Sequence, residues 1–345
     1  MTQKKNKPPP IARDAPIAVL GAGSYGTALA IQLSRSGHPT TLWGRDPEQI
    51  GRLAAERVNA RYLPGCRFPE RLHPVTGLTD AVQSVPHIIV AVPSHAVRAL
   101  LEQLRPLLRP GQKLACAAKG LEPESCKLMH EVFAEALGAD FPLAIVSGPT
   151  FAKEVGKGMP TAVTVASSDA QVAGEFAAFL HSGVFRAYTA TDVIGVEVGG
   201  AVKNVLAIAV GAADGLGFGA NTRALMITRG LAEIMRLGEA LGGERDTLMG
   251  LAGLGDLLLT CTDDQSRNRR LGLALAAGKS VQQAQAEIGQ VVEGVRVARE
   301  VARLAARLDV EMPISQQVAR VLHEGVSPIE AFRVLTSRPS KAESA

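Results

Sequence analysis

Four short segments place charge or unusual backbone in otherwise apolar surroundings, and they are where this chain has the means to do chemistry. They are Ala117-Ala-Lys119-Gly120-Leu-Glu122, Ser147-Gly148-Pro149-Thr150-Phe-Ala152, Gly199-Gly-Ala-Val-Lys203-Asn204-Val, and Gly255-Asp256-Leu-Leu-Leu-Thr260 followed by Ser266-Arg267-Asn268-Arg269-Arg270. Lys203 is the sharpest case, because from Gly199 to Ala207 no other residue carries charge. Such a lysine either snorkels from a packed helix or serves as a proton donor and acceptor held in apolar ground. A free lysine, with a pKa of about 10.4, is a reluctant base near neutrality. Burial and a second cation, Lys119, would lower that value, whereas Asp256 would orient the ammonium and oppose the shift, so spacing leaves the net direction open.

A fifth segment binds rather than reacts. Ile17-Ala-Val-Leu-Gly21-Ala-Gly23-Ser24-Tyr25-Gly26-Thr-Ala-Leu-Ala30 reads as a strand, a G-x-G-x-x-G turn and the start of an alanine-rich helix. In a dinucleotide-binding turn Gly21 makes the bend, Gly23 lets a pyrophosphate approach the backbone, and Gly26 lets helix and strand pack closely. The helix N-terminus then offers free N–H groups to the phosphates. The second strand ends in Trp43-Gly44-Arg45-Asp46. Asp46 stands where an acid holds the ribose hydroxyls of NAD, and Arg45 where a cation pairs with the 2′-phosphate of NADP. Asp46 equally suits an N-cap before Pro47. The expected cofactor is NAD(H) or NADP(H).

The elements that must position these groups follow from periodicity. From Ile17 onward, short apolar runs alternate with stretches of helical period, the pattern of a doubly wound parallel sheet covered by helices. Strands are expected at Ile17–Leu20, Thr40–Trp43, His87–Val92, Lys113–Ala118, Leu143–Val146, Thr161–Ala166 and Val184–Ala187. Helices are expected at Tyr25–Ser36, Ala96–Leu108 and Lys127–Leu137. After about Thr191 the β-branched alternation stops, and the remainder reads as Ala-, Leu- and Arg-rich helices such as Asn221–Leu241, Val292–Leu308 and Ile314–Glu324. The expected fold is α/β: a Rossmann-like domain over 16–191, then an all-α domain over 192–337, between flexible tails at 1–15 and 338–345.

Composition narrows the partners. The chain has 345 residues, 46% hydrophobic and 20% charged, enough for two cores and too apolar for disorder. The net charge is +4, of which the first sixteen residues hold +3 (Lys4, Lys5, Lys7 and Arg13 against Asp14), and aromatics are sparse, so no nucleic-acid partner is expected. Cys66, Cys116, Cys126 and Cys261 are scattered, suggesting neither zinc site nor disulfide framework and fitting a reducing cytosol. The basic N-terminus lacks an apolar segment behind it, and the run Val205–Ala213 is shorter than the roughly 18 residues of a membrane span, so neither export nor membrane insertion is expected. The seven histidines offer no pair at metal-ligand spacing, and no metal is expected. His95, after the strand ending AVPS, could lie near the cofactor but reads more readily as a cap or core residue, and Arg269 and Arg270 read as surface residues.

Taken in order with GAGSYGTALA, VAVPSH, GLGFGANTRALMITRGL and GQVVEGVRVA, these segments resemble the bacterial NAD(P)-dependent sn-glycerol-3-phosphate dehydrogenases from about Ile17 to Leu335. The resemblance implies reversible hydride transfer between the nicotinamide and C2 of dihydroxyacetone phosphate, giving sn-glycerol 3-phosphate for glycerophospholipid synthesis in the cytoplasm. It makes Lys203 the general acid and base, with Asp256 and Lys119 beside it. Gly21, Gly23, Ser24, Tyr25, Gly26, Arg45, Lys119, Ala152, Arg267, Val291 and Glu293 would attend the cofactor. Lys119, Gly148, Thr150, Lys203, Asp256, Ser266, Arg267 and Asn268 would surround the substrate. A phosphate near its dianion wants a forked cation and neutral donors, which Arg267 and Asn268 supply, although a basic run is also the ordinary start of a solvated helix. A basic residue at Arg45 is linked in the family to NADPH, and Tyr25 holds an aromatic position that varies. A homodimer through the helical domain is plausible. A related dehydrogenase for another phosphorylated or acidic substrate would lack the Arg-Asn pair, and a silent cofactor sensor would have no use for Lys119, Lys203 and Asp256 together.

Overall fold

The computed structural model describes residues 11, 12 and 14–339, so the expected tails fall largely outside the described residues. The strands are β1 (Ile17–Leu20), β2 (Thr40–Trp43), β3 (Val58–Asn59), β4 (Leu63–Arg67), β5 (Leu72–Val75), β6 (His87–Val90), β7 (Lys113–Cys116), β8 (Leu143–Ser147), β9 (Thr161–Ala166) and β10 (Phe185–Ala190). The helices among and beside them are α1 (Ser24–Arg35), α2 (Pro47–Glu56), α3 (Leu78–Val82), α4 (Val97–Leu104), α5 (Met129–Leu137), α6 (Ala152–Lys157) and α7 (Ala170–Leu180). Residues 192 onward add α8 (Val193–Gly215), α9 (Ala220–Ala240), α10 (Arg245–Leu248), α11 (Asp256–Thr262), α12 (Arg267–Ala276), α13 (Val281–Ile288), α14 (Glu293–Arg307), α15 (Pro313–His323) and α16 (Pro328–Thr336).

An eight-stranded sheet runs in the order β10-β9-β8-β7-β6-β1-β2-β5, with β3 and β4 pairing apart from it. β1, β6 and most of β7 and β8 are buried on both faces, as strands covered by helices on each side must be. One apolar core joins the sheet to α1 and α7, and a second joins its other face to α4 and α5. The sheet is not wholly parallel: β9 pairs antiparallel with β8, and β10 follows β9. Apolar runs carry no direction, so the sequence pattern did not reveal this reversal. Nor did it reveal β5, whose Leu-His-Pro-Val sequence lacks β alternation and takes the sheet edge, where proline is tolerated. The expected helix Ala96–Leu108 ends early, at Leu104, and continues as a 3₁₀ turn over Arg105–Leu107 because Pro106 removes a donor.

α8 is the axis of the helical part. Asp192 caps it, accepting from Gly195 N at 2.8 Å, and holds the α10 approach by accepting from Glu244 N at 2.8 Å. α9, α11, α12 and α14 surround it. Among the described residues α8 is the one helix long and apolar enough to cross a membrane, but 83% of that stretch is buried within the protein, as suits the core helix of a bundle. The closest approach is to α12: a Cβ on Gly211 would lie 2.2 Å from the Arg269 carbonyl oxygen, and one on Gly272 would lie 2.1 Å from that of Ile208.

Candidate active site

The carboxyl ends of β1, β2, β6, β7 and β8 face Thr260 of α11 and the N-terminal ends of α12 and α14 across a cleft of about 1150 Å³. Open α/β sheets bind ligands at this edge. The glycine turn forms one wall. Gly21 has φ +124°, and a Cβ there would lie 2.7 Å from the Ala91 carbonyl oxygen, while a Cβ on Gly26 would lie 1.9 Å from Gly21 O. A Cβ on Gly23 would instead meet nothing within 4 Å, because that position opens on the cleft. Gly23 also caps α1 without a side-chain hydrogen bond, leaving the first-turn N–H groups to a ligand. The turn thus has the bare, donor-rich surface that a pyrophosphate requires.

Arg45 is exposed at the end of β2 and lines the same cleft. Asp46 caps α2, one carboxylate oxygen accepting from Glu48 N at 3.0 Å and Gln49 N at 3.3 Å. Of the two places open to His95, it takes the one on the cofactor side: it sits on a short turn after β6 and lines the cleft instead of the core. Burial, then Arg296 and Arg45, lower its pKa.

Opposite the turn, one carboxylate holds two lysines. Asp256, 1% exposed, accepts from Lys119 Nζ at 2.8 Å through Oδ2 and from Lys203 Nζ through Oδ1. Lys119 also donates to Gly148 O at 2.8 Å. Lys203, itself buried, donates to Thr260 Oγ1 at 3.0 Å, and that hydroxyl is fixed by the Asp256 carbonyl at 2.6 Å. Burial lowers the Lys203 pKa, Asp256 opposes and Lys119 reinforces the shift, and the balance brings it down to about 8. Burial acts in the same direction on Lys119, but Asp256 and Tyr25 outweigh it, leaving that pKa above the ordinary lysine value. The two ammonium groups therefore differ, and Lys203 is the one able to exchange a proton near neutrality.

α12 presents its N-terminus to the cleft. Ser266 caps it, its hydroxyl accepting from Arg269 N at 3.2 Å. Arg267 is half-buried and touches Gln290 Oε1 at 3.5 Å; burial, opposed by Glu293, lowers its pKa. No carboxylate forms an ion pair with it among the described residues, so its fork is free for an anion. Asn268 is committed elsewhere: its amide donates to Asn204 Oδ1 at 2.8 Å and accepts from Gly294 N at 3.0 Å. Asn268 lines the cleft, and its amide keeps one N–H beyond the bond to Asn204. Arg269 is no surface residue. It is 8% exposed and ion-paired with Asp214 and, at 2.9 Å, with Asp264. Arg270 is exposed.

Of the other expected residues, Ser24, Tyr25, Thr150, Ala152, Val291 and Glu293 line the cleft. Burial raises the Glu293 pKa, against the hydrogen bond it accepts from Ser94 at 3.3 Å. Gly26, Gly148 and Asp256 lie behind the surface. The cleft also holds Gln290, which bonds to Ser24 at 3.2 Å, and Thr260 and Asn204, whose amide reaches Lys119 O at 3.1 Å. None of these three was singled out as a site residue from sequence. Thr260 had a usable signal, standing one helical turn after Asp256 on the same face.

The sequence matches two family models, the N-terminal part of NAD-dependent glycerol-3-phosphate dehydrogenase over residues 16–173 and its C-terminal part over 192–333. The chain belongs to the glycerol-3-phosphate dehydrogenase family. Within the family, glycerol-3-phosphate dehydrogenase [NAD(P)+] of Aeromonas hydrophila is 56% identical over 328 residues, covering 95% of this chain and 98% of that one. The enzyme of the same name from Thioalkalivibrio sulfidiphilus is also 56% identical, with the same coverage. The crystal structure of glycerol-3-phosphate dehydrogenase from Coxiella burnetii superposes with a TM-score of 0.92 at 46% identity, covering 95% of this chain and all of that one. Like its family, the protein is an NAD(P)-dependent oxidoreductase, and its cofactor is NAD(H) or NADP(H).

Proposed function

We propose that the protein interconverts dihydroxyacetone phosphate and sn-glycerol 3-phosphate, with Lys203 as general acid and base. The observation that carries this reading is the buried Lys203 ammonium at the cleft wall, brought down to about 8 and oriented by Asp256, in the same cleft as an Arg267 fork without an ion-pair partner among the described residues. Bound on the Gly21–Gly26 turn, the nicotinamide cofactor supplies or accepts the hydride at C2. Lys203 donates a proton to the carbonyl oxygen as negative charge grows there, and takes it back in the oxidation direction. Asp256 and Thr260 hold its Nζ toward the cleft. Lys119 adds a second positive charge close by and stays protonated. Arg267 and the first N–H groups of α12 bind the phosphate, which fixes the substrate's far end and turns binding energy into orientation.

In this reading residues 16–191 hold the cofactor and 192–337 the substrate, and the product serves glycerophospholipid synthesis. A cytoplasmic place is supported by four buried free thiols, and a homodimer through the helical part by Leu225, Ile329 and Val334 exposed on α9 and α16. The test follows reduced-nicotinamide absorbance with dihydroxyacetone phosphate and NADH or NADPH, beside unphosphorylated dihydroxyacetone. The expected result is oxidation of the cofactor that depends on the phosphate. Cofactor binding without turnover of the phosphorylated substrate overturns the reading.

A further inference from the structure

Tyr25 belongs to the glycine turn by sequence but reaches the lysine side of the cleft. It is the second residue of α1, one step before Gly26. Its ring lies under the Lys119 ammonium, 5.4 Å from Nζ to the ring centroid. Its hydroxyl is hydrogen-bonded to Thr150 Oγ1 at 3.1 Å, and Thr150 in turn stands 3.0 Å from Gly148 O, the same carbonyl that accepts from Lys119. One side chain therefore contacts both Lys119 and a loop that holds it: the cation by its ring face, and the Gly148–Thr150 loop by its hydroxyl. Both polar contacts lie at the cleft wall, where the alternative partner is water.

We propose that Tyr25 is a positioning residue that couples dinucleotide binding to the substrate side of the cleft. The first turn of α1 is where the pyrophosphate docks, and its N–H groups have no side-chain cap. A dinucleotide that orders this turn also fixes the backbone carrying Tyr25, and the ring and hydroxyl then hold Lys119 and Thr150 in place for the phosphorylated substrate. The substrate should accordingly bind more tightly to the cofactor complex than to the free enzyme, and by linkage the cofactor should bind more tightly in the presence of substrate. This inference rests on the substrate reading given above.

The experiment measures that reciprocity in a complex that cannot turn over, NADH with sn-glycerol 3-phosphate. NADH affinity is titrated by fluorescence with and without saturating sn-glycerol 3-phosphate, for the full-length wild type, Tyr25→Phe and Tyr25→Leu. The wild type should show a coupling factor above one. Tyr25→Phe, which keeps the ring and loses the hydroxyl, should reduce that factor about fivefold, or to one if it is smaller than that. Tyr25→Leu, which loses the cation contact as well, should reach one. A purely structural role would weaken NADH binding equally with and without the second ligand and leave the factor intact. An unchanged factor in both variants, or a wild-type factor of one in an enzyme that reduces dihydroxyacetone phosphate, overturns the proposal. A wild type that binds NADH but does not reduce dihydroxyacetone phosphate overturns the substrate reading instead.

Discussion

Two clusters in this protein share a plan, one buried carboxylate between two basic side chains, and have opposite characters. In the cleft, Asp256 is shared by Lys119 and Lys203. At the other end of the sheet, Glu175 on α7 is shared by Lys113 and His87, which stand side by side at the starts of β7 and β6. In the second cluster Glu175 accepts from Lys113 Nζ at 2.6 Å, from His87 Nε2 at 2.7 Å and from Gln171 at 3.0 Å. Burial works against its ionisation, but these donors overcome it and bring its pKa down to about 2. Burial also lowers the His87 pKa, against the pull of Glu175. There the carboxylate is locked in its charged form by its donors. In the cleft one of the two lysines, Lys203, is brought down to about 8 and placed where its proton can be exchanged. What separates a structural ion pair from a reactive one is which partner bears the cost of burial and whether it faces the ligand edge of the sheet.

The comparison is broken most directly by exchanging its lysine. Lys203→Met should lower kcat by roughly 10³-fold or more with a smaller loss of thermal stability than breaking an isolated buried pair, since Asp256 keeps Lys119 as a partner. A fall in Tm without a fall in kcat would make Lys203 the structural member. Arg267→Ala should cost about 3 kcal/mol in kcat/KM for dihydroxyacetone phosphate, from two charge-assisted bonds at the low end of their usual worth. The reverse signature belongs to Glu175→Gln: a stability loss on the order of 3 kcal/mol in chemical denaturation, with kcat per folded molecule unchanged.

Acidity sharpens the contrast. Glu175 has a folded-state pKa below its unfolded value, so its contribution is complete above the ordinary carboxylate range and is lost as pH falls from there toward about 2. Acid titration of wild type and Glu175→Gln should therefore converge in stability over that window. Lys203 acts at the opposite end. Ketone reduction needs its protonated form and should decline as pH rises through about 8, while alcohol oxidation should rise through the same region. The smallest effect expected is that of the exposed Arg45: Arg45→Ala should raise the KM for NADPH more than that for NADH, and parallel changes would remove it from reading the 2′-phosphate.

Much of this arrangement could be read from the chain, and the exceptions share a cause. The glycine turn, the strands β1, β2 and β6, and the isolation of Lys203 in apolar sequence are local facts. Arg269 was misjudged because its partner Asp214 lies 55 residues away at the end of α8, and a run of basic residues looks the same whether solvent or a carboxylate meets it. The Ser24–Gln290 contact spans 266 positions and has no local signature. The bonds that Asn268 makes to Asn204 and Gly294 are likewise invisible in sequence, since composition does not say which of its polar groups a neighbour has already taken.

The stretch from Leu121 to Phe133 gives the two cores a shared fate. Leu121, Cys126 and Leu128 are built into the helical core, whereas Met129, Val132 and Phe133 belong to the sheet, and Val196 and Ala252 cross in the other direction. Glu197 on α8 clasps the start of α5, accepting from His130 N at 2.9 Å and pairing with the ring at 2.5 Å. Neither core can melt without stripping apolar neighbours from the other. A calorimetric scan should therefore show one cooperative transition and not two. Pulling the halves fully apart would bare this shared apolar surface to water.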